Sequence, residues 1–482
     1  MRHQRSFMAS RPLARALCVV FSAASVGSCG GGPDGTAGSA VSLDAGSATT
    51  AALSSAAAAG TRVVSAAAAG TLVVSAQSTI AEPLASGAVL LSNEVVPRSG
   101  AIESAGFPGL LRWEPSTRRV THAIRLEMPL DALRATLGEA PSTAFRSELA
   151  DARALPDGGA LVQFDLLADA PGASARRAAS VLARLRADLS VAWTRVWAGG
   201  QLGRIEVRGD AVATTGESLM RYDGQGRPVS QEALGGGFVL TLASTTEVIG
   251  VPGGFVLRSA AGGDRTVGAD ADSGWHGAIG DAAGGGAVAV GWGQDSTAGG
   301  SFHPVVVRLD ASGRPVQSVQ LGVATDRGAG LTDIARIGDD YYVVGTRALT
   351  DAEADWFVCR LGADLSVRAC ITGRSGRRQA RATVRADALG ERLYVAGHAD
   401  GAPALVLGPD LGVRFDPGTT IEGFAITRDI WQVTWAETAL AVPGPAGRVA
   451  LAVTASSTEL PVEALDTRAL GALSSTPRPA AP

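Results

Sequence analysis

Trp356-Phe357-Val358-Cys359-Arg360-Leu361-Gly362-Ala363-Asp364-Leu365-Ser366-Val367 reads as a strand, a tight polar turn and the start of a return strand. The pattern recurs along most of the chain, as GLLRWEPSTRRV at 109–120, VLARLRADLSV at 181–191, SLMRYDGQGRPV at 218–229 and VVVRLDASGRPV at 305–316. Phe255 to Val267 is a looser copy with one extra residue, and LVLGPDLGV at 405–413 is a copy without the arginine. Leu440 to Val449 is a weaker eighth copy. The arginine therefore recurs at Arg112, Arg184, Arg221, Arg258, Arg308 and Arg360, with Val406 in its place in the seventh copy. Successive steps are 72, 37, 37, 50, 52 and 46 residues.

A noisy period of about 50 residues is what a four-stranded propeller blade requires. Each copy flanks an Asp-, Gly- and Ser-rich turn with apolar residues, the local chemistry of a hairpin. Upstream lies a second apolar run ending in glycine, as in Val288-Ala289-Val290-Gly291, Tyr342-Val343-Val344-Gly345 and Leu393-Tyr394-Val395-Ala396-Gly397. Before it comes an inner-strand candidate, Asp333-Ile334-Ala335-Arg336-Ile337, echoed by Asp151-Ala152-Arg153-Ala154-Leu155. Three apolar runs plus the return strand make four strands per unit, and no long stretch of the repeat region has helical periodicity. The expectation is an all-β chain: one propeller of seven or eight four-stranded blades, about 350 to 400 residues of it. A strand near Thr71 to Val74 is a candidate to complete the last blade.

These residues resemble the short β-propeller-repeat families of secreted and lipid-anchored bacterial proteins, whose repeats carry a glycine-terminated strand and then a strand-Arg/Lys-Leu/Tyr-Asp-turn-Gly unit. The resemblance covers roughly residues 85 to 455. It implies a ring-shaped scaffold and no single chemistry.

The first 28 residues read as a secretion signal. Arg2, Arg5, Arg11 and Arg15 precede the apolar run Ala16 to Val26, which is too short to span a bilayer. Val26-Gly27-Ser28-Cys29 resembles the bacterial lipobox. That resemblance implies lipidation (palmitate among the acyl chains) of Cys29, and Gly30 behind it implies the outer membrane, on its periplasmic or cell-surface face. Residues 29–82 read as a Gly/Ala/Ser-rich tether containing the duplication SAAAAGTRVV and SAAAAGTLVV at 55–74. The propeller is assigned to 83–456, and 457–482 to a disordered tail. An insertion at about 127–147 carries a short helix ended by Gly138 and Pro141, or else is a solvated loop.

The chain has no lysine, so its 42 basic residues are all arginine. Without the four in the leader, 38 arginines face 46 acids, and they are scattered rather than clustered, which argues against nucleic-acid binding.

Candidates for chemistry are few. Cys359 and Cys370 lie symmetrically about a turn centred between Asp364 and Leu365, and export favours their oxidation to a disulfide; two free thiols are the alternative. His122, His276, His303 and His398 have no metal-ligand spacing. Asp351, Glu353 and Asp355 alternate as calcium ligands do, but Trp356 stands where the loop needs glycine. Gly286 to Gly293 is glycine-rich without the helix a phosphate loop needs, and no G-x-S-x-G elbow is present. No catalytic residue, metal or cofactor is assigned. The eight tryptophans either pack between blades or line a sugar pocket. The repeat arginines either bond neighbouring blades or ring the channel as an anion site.

The resulting expectation is a lipid-anchored extracytoplasmic propeller that binds a protein or a surface glycan. Alternatives are a propeller resembling the eight-bladed lipoproteins that help insert outer-membrane barrels, a carbohydrate-binding surface protein, and a propeller enzyme. The last means a lyase or a quinone-dependent dehydrogenase, of whose blade motif only Ala187 to Trp193 carries a trace.

Overall fold

The computed structural model describes most of residues 80–437, with short strands outside that span at Thr61–Ser65, Thr71–Ser75, Glu463–Ala464 and Thr467–Arg468. The strands form seven antiparallel sheets, each built around four consecutive strands, with further short strands added to four of them. Blade 1 comprises Ala81–Pro83, Val89–Pro97, Pro108–Glu114 and Arg119–Glu127. Blade 2 comprises Ala144–Ala154, Ala160–Asp169, Arg176–Leu185 and Val191–Ala198. Blade 3 runs from Leu202–Arg208 to Pro228–Glu232, blade 4 from Phe238–Thr241 to Asp264–Ala269, and blade 5 from Ser273–Gly280 to Pro315–Gly322. Blade 6 runs from Ala329–Ile337 to Val367–Arg374, and blade 7 from Thr383–Ala386 to Val413–Phe415. The first strand of each blade touches that of the next, and the seventh returns to the first. The fold is a seven-bladed β-propeller.

The packing explains why the middle strands read as unbroken apolar runs. A blade is covered on both faces by its neighbours, so successive residues of a strand are both buried. Val343 packs with Val288 and Val306 of blade 5, while Val344 packs with Val384 and Val395 of blade 7. The glycine that closes the apolar run within the second strand also has a cause. The inner strands of blades 5 and 6 are bulged, between Trp275 and Gly277 and between Leu331 and Asp333. The bulge pushes their backbone towards the neighbouring strand. A Cβ on Gly291 would meet the Gly274 carbonyl at 1.9 Å, and one on Gly345 would meet the Gly330 carbonyl at 2.4 Å.

Several expectations change. The weak copy at 440–449 lies outside the described residues, and the ring closes with seven blades. Thr71–Ser75 does not complete the last blade. It pairs with its own duplicate, Thr61–Ser65, and with Glu94 to Pro97 of blade 1. Among the described residues the four core strands of each blade are therefore one uninterrupted run of chain, with no exchanged strand joining blade 7 to blade 1. Thr427–Ile430 adds to the outer edge of blade 5 and Trp435–Glu437 to that of blade 4.

The insertion does form a helix, α1 (Leu130–Leu137), ended by Gly138 at φ +67°. Leu133 is fully buried against the apolar cluster of blades 1 and 2, and Arg134 donates from Nε and Nη2 to the Thr143 carbonyl at 3.0 and 2.9 Å. The helix is part of the packed body. No helix among the described residues is long and apolar enough to cross a membrane.

Candidate functional site

The repeat motif is structural throughout. Its aspartates cap their own turns: Asp188, Asp223, Asp310, Asp364 and Asp410 each accept the backbone N–H two residues on, at 2.8–3.1 Å. Three positions after the aspartate in Asp223-Gly224-Gln225-Gly226 and one after it in Asp364-Leu365 the chain turns left-handed, at Gly226 (φ +71°) and Leu365 (φ +61°). Leu189 and Leu411 repeat the second solution, and all three leucines bury their side chains, which offsets the backbone cost.

The repeat arginines lie on the third strand of their blades and reach sideways. Arg112 of blade 1 donates to the Ala187 carbonyl in the blade 2 turn at 3.1 Å, and Arg184 of blade 2 donates to the Gly224 carbonyl in the blade 3 turn at 2.6 Å. Arg308 of blade 5 does the same to Ala363 of blade 6 and pairs with Asp281. Arg360 pairs with Asp340 of its own blade, 2.7 Å from Nε. In the looser copy the register differs by one residue, which turns a side chain to the opposite face. Arg258 consequently reaches back to Glu232 of blade 3 at 2.7 Å, where it meets Arg221, itself 2.6 Å from Glu232 and Glu247. None of the six lines the channel, so the anion-ring reading is corrected: they fasten blade to blade or secure their own blade.

The channel is lined by other charges, contributed by the inner strands. Asp333 (blade 6), Arg385 (blade 7), Glu82 (blade 1), Asp151 and Arg153 (blade 2) and Arg204 (blade 3) converge there. Arg385 bonds Glu82 at 3.0 Å, Asp151 at 3.1 Å, and Asp333. Arg153 lies 3.3 Å from Asp151 and 3.8 Å from Glu82, and donates through Nε to the Ile205 carbonyl at 3.1 Å. Arg204 bonds Asp333 at 2.6 Å and the Thr332 carbonyl. Each acid also accepts a backbone N–H from the inner strand of the following blade. Glu82 binds Ala154 N at 2.9 Å, Asp151 binds Ile205 N at 2.8 Å and Asp333 binds Val384 N at 3.1 Å. Glu206 continues the series, accepting Thr241 N of blade 4 at 3.2 Å.

The cluster holds three carboxylates and three guanidiniums, so its charges cancel, and Asp151 and Asp333 are each only 2% exposed. Burial opposes ionisation of Asp333, yet the guanidiniums of Arg204, Arg385 and Arg153 hold its carboxyl below the usual range. At Glu82 burial wins over Arg153 and Arg385, and the carboxyl is pushed up. Burial and the neighbouring Arg385 lower Arg153, whereas Arg385, despite burial, is raised by Asp333, Asp151 and Glu82. Glu206, outside the cluster, is pushed by burial to about 7. An arrangement in which every carboxylate is held by guanidinium and backbone has no free base or nucleophile. It fixes the blades around the axis and fills the channel.

Sequence reasoning picked out Asp151 and Asp333 as an echo between inner strands but not their meeting. Cys359 and Cys370 are direct cross-strand partners with Cα atoms 4.2 Å apart, the short spacing of a non-hydrogen-bonded pair, and are joined as a disulfide. Asp355 pairs with Arg347 at 2.8 Å within blade 6, while Asp351, Glu353, His398 and Cys29 lie outside the described residues. Among the described residues no three His, Cys, Asp or Glu side chains are grouped as metal ligands. Trp113, Trp193, Trp275 and Trp356 are buried in the packing between blades, and Trp292 stands edge-on to Phe302 at 4.7 Å. A cleft of about 200 Å³ between blades 2 and 3 is lined by Leu161, Trp193, Val207 and Val212, with the Asp157–Arg184 pair beside it. No protein-family model matches the chain, and no curated protein matches it.

Proposed function

We propose that this chain is a lipid-anchored, extracytoplasmic propeller that acts as a binding scaffold for another protein or a surface glycan. The observation that carries the reading is the filled channel: its six charged side chains neutralise one another, which leaves the outer surfaces of the ring for partners. Propellers recruit by the shape of such surfaces, while a fold by itself specifies no activity. The anchor rests on the basic leader, the short apolar run and Val26-Gly27-Ser28-Cys29. Several acyl chains hold a protein to a membrane stably where one does not.

The test is crosslinking in living cells followed by recovery of the tethered protein, against a Cys29→Ala control. The scaffold reading expects a specific protein or glycan enriched over the control, and membrane-fraction protein that becomes soluble in the variant. Equal recovery from both strains would sink it.

A further inference from the structure

The turn between the third and fourth strands varies from blade to blade at one position, the residue after the aspartate. In blades 2, 6 and 7 it is Leu189, Leu365 and Leu411. Each of these leucines fills space against the preceding blade. Leu189 packs in the apolar cluster of blades 1 and 2, Leu365 in that of blades 5 and 6, and Leu411 in that of blades 6 and 7. Blade 3 carries Gly224 at this position, in Asp223-Gly224-Gln225-Gly226, and so brings no side chain there. Gly224 instead lines the cleft of about 200 Å³ between blades 2 and 3. The cleft stands at the gap that a turn leucine fills in those other blades.

Its walls are apolar. Leu155 and Leu161 of blade 2 and Val212 of blade 3 are buried, Val207 of blade 3 is partly so, and Trp193 of blade 2 is 9% exposed. The blade 3 turn closes on the indole, since a Cβ on Gly226 would lie 2.6 Å from its ring. The indole Nε1 is buried and finds no hydrogen-bond acceptor among the described residues. Buried donors are normally paired, and one in a cavity wall is where the acceptor of a bound molecule gains most. At the mouth Arg184 donates from Nη2 to Asp157 at 2.8 Å and from Nη1 to the Gly224 carbonyl at 2.6 Å. Arg184 and the Gly159 N–H hold the Asp157 carboxyl below its usual range, so at neutral pH the pair is ionised and its charges cancel. The two side chains are 29% and 52% exposed, which puts the entrance beside them.

These features define an occupant. An apolar cavity of about 150 Å³ takes up benzene, so this one has room for a single ring and a short substituent. The indole N–H calls for a hydrogen-bond acceptor on that substituent. The compensated mouth favours a neutral molecule, because an ion would have to draw Arg184 or Asp157 from its partner. We propose that the cleft between blades 2 and 3 binds a small neutral molecule made of one ring and a carbonyl group. The ring lies against Leu161, Val207 and Val212, and the carbonyl oxygen accepts from Trp193 Nε1. The site is separate from the outer surfaces that the ring offers to larger partners.

The probe is benzamide, with toluene as the ring that lacks the acceptor and benzoate as the charged counterpart. The full chain is prepared with isotope-labelled tryptophan and its indole N–H resonances are followed by NMR during titration. Trp193 is assigned by the resonance lost in Trp193→Phe. The expected result is a saturable shift of the Trp193 resonance with benzamide, at a dissociation constant on the order of 1 mM. Toluene and benzoate should bind more weakly by about tenfold or more. Val207→Phe and Gly224→Leu each fill the cleft, the second with the side chain that the other turns carry. Both should abolish the shift while the Trp275 and Trp356 resonances, in other blades, keep their positions. Trp193→Phe retains an aromatic wall without the N–H, and in it benzamide, followed by calorimetry, should bind no better than toluene. Absence of a saturable shift at Trp193, equal binding of benzamide and toluene, preference for benzoate, or an unaltered shift in both filled variants each overturns the proposal.

Discussion

Arg204 of blade 3 and Asp333 of blade 6 meet at 2.6 Å, so a single ion pair spans the ring from one side of its channel to the other. The partners come from inner strands 129 residues apart in sequence, and both are held by backbone groups as well.

Breaking that span leaves the buried Asp333 carboxylate with Arg385 alone of its two bonded guanidiniums. Arg204→Met is expected to cost about 1.5–3 kcal/mol, the range for a hydrogen bond to a charged group, whereas Arg204→Met with Asp333→Leu recovers part of the loss, because removing both charges removes the desolvation penalty. Chemical denaturation of the three proteins checks this. Equal stability of Arg204→Met and the unmodified chain would contradict it.

Glu206 gives a pH signature of its own. Its ordinary value of 4.5 is raised to about 7, so the folded state holds the proton more tightly than the unfolded one. The associated stability is full below pH 4.5 and drains away as pH rises to about 7. Glu206→Gln keeps the acceptor for Thr241 N and abolishes the titration. The variant should match the unmodified protein at pH 4.5 and melt a few degrees higher at pH 8. A melting difference independent of pH would refute the burial argument.

Asp333 works in the opposite sense. Its carboxyl is depressed below 3.8, so its contribution is present above that value and is lost as pH falls through the lower folded value. Asp333→Asn should therefore flatten the acid limb of the stability profile, in a titration below pH 4 followed by circular dichroism. An unchanged limb would mean that other carboxylates govern acid unfolding.

The repeat glycines yield a direct test of the bulge. Gly345→Ala would place a Cβ 2.4 Å from a backbone carbonyl and 2.6 Å from the Phe357 ring, and should cost upwards of about 2 kcal/mol. Gly280→Ala, with nothing within 4 Å, should be close to neutral. Melting temperatures of the pair decide the matter.

The Cys359–Cys370 disulfide closes a short loop in the blade 6 hairpin, 11 residues apart in sequence. Its removal in Cys359→Ser/Cys370→Ser should lower stability by about 2–3 kcal/mol. Reduction should lower the melting temperature of the unmodified protein and leave the double variant unaffected.

The blades were legible because turn chemistry is local: Asp364 and Leu365 carry a hairpin wherever they stand, and Arg360 marks its strand. The arginine's partner was not legible, since it is set by the facing blade. Arg258, one residue out of register with its counterparts, faces backwards for a reason that pairing alone discloses. The channel cluster was less accessible still. Arg385 and Glu82 are 303 residues apart, and only closure of the ring makes them neighbours. The rim strands escaped because three or four residues carry no periodicity, and pairing with an exposed edge demands little of sequence.

Because the four core strands of each blade are an uninterrupted run of chain, blades 7 and 1 meet at a seam that no strand exchange crosses among the described residues. The Arg385–Glu82 bond crosses that seam at the axis, where the lever arm of an opening motion is shortest. A ring of this construction resists compression evenly but yields to tension at one place. Pulled across a diameter, it should part there first, and blades 1 to 7 should remain stacked as an open arc.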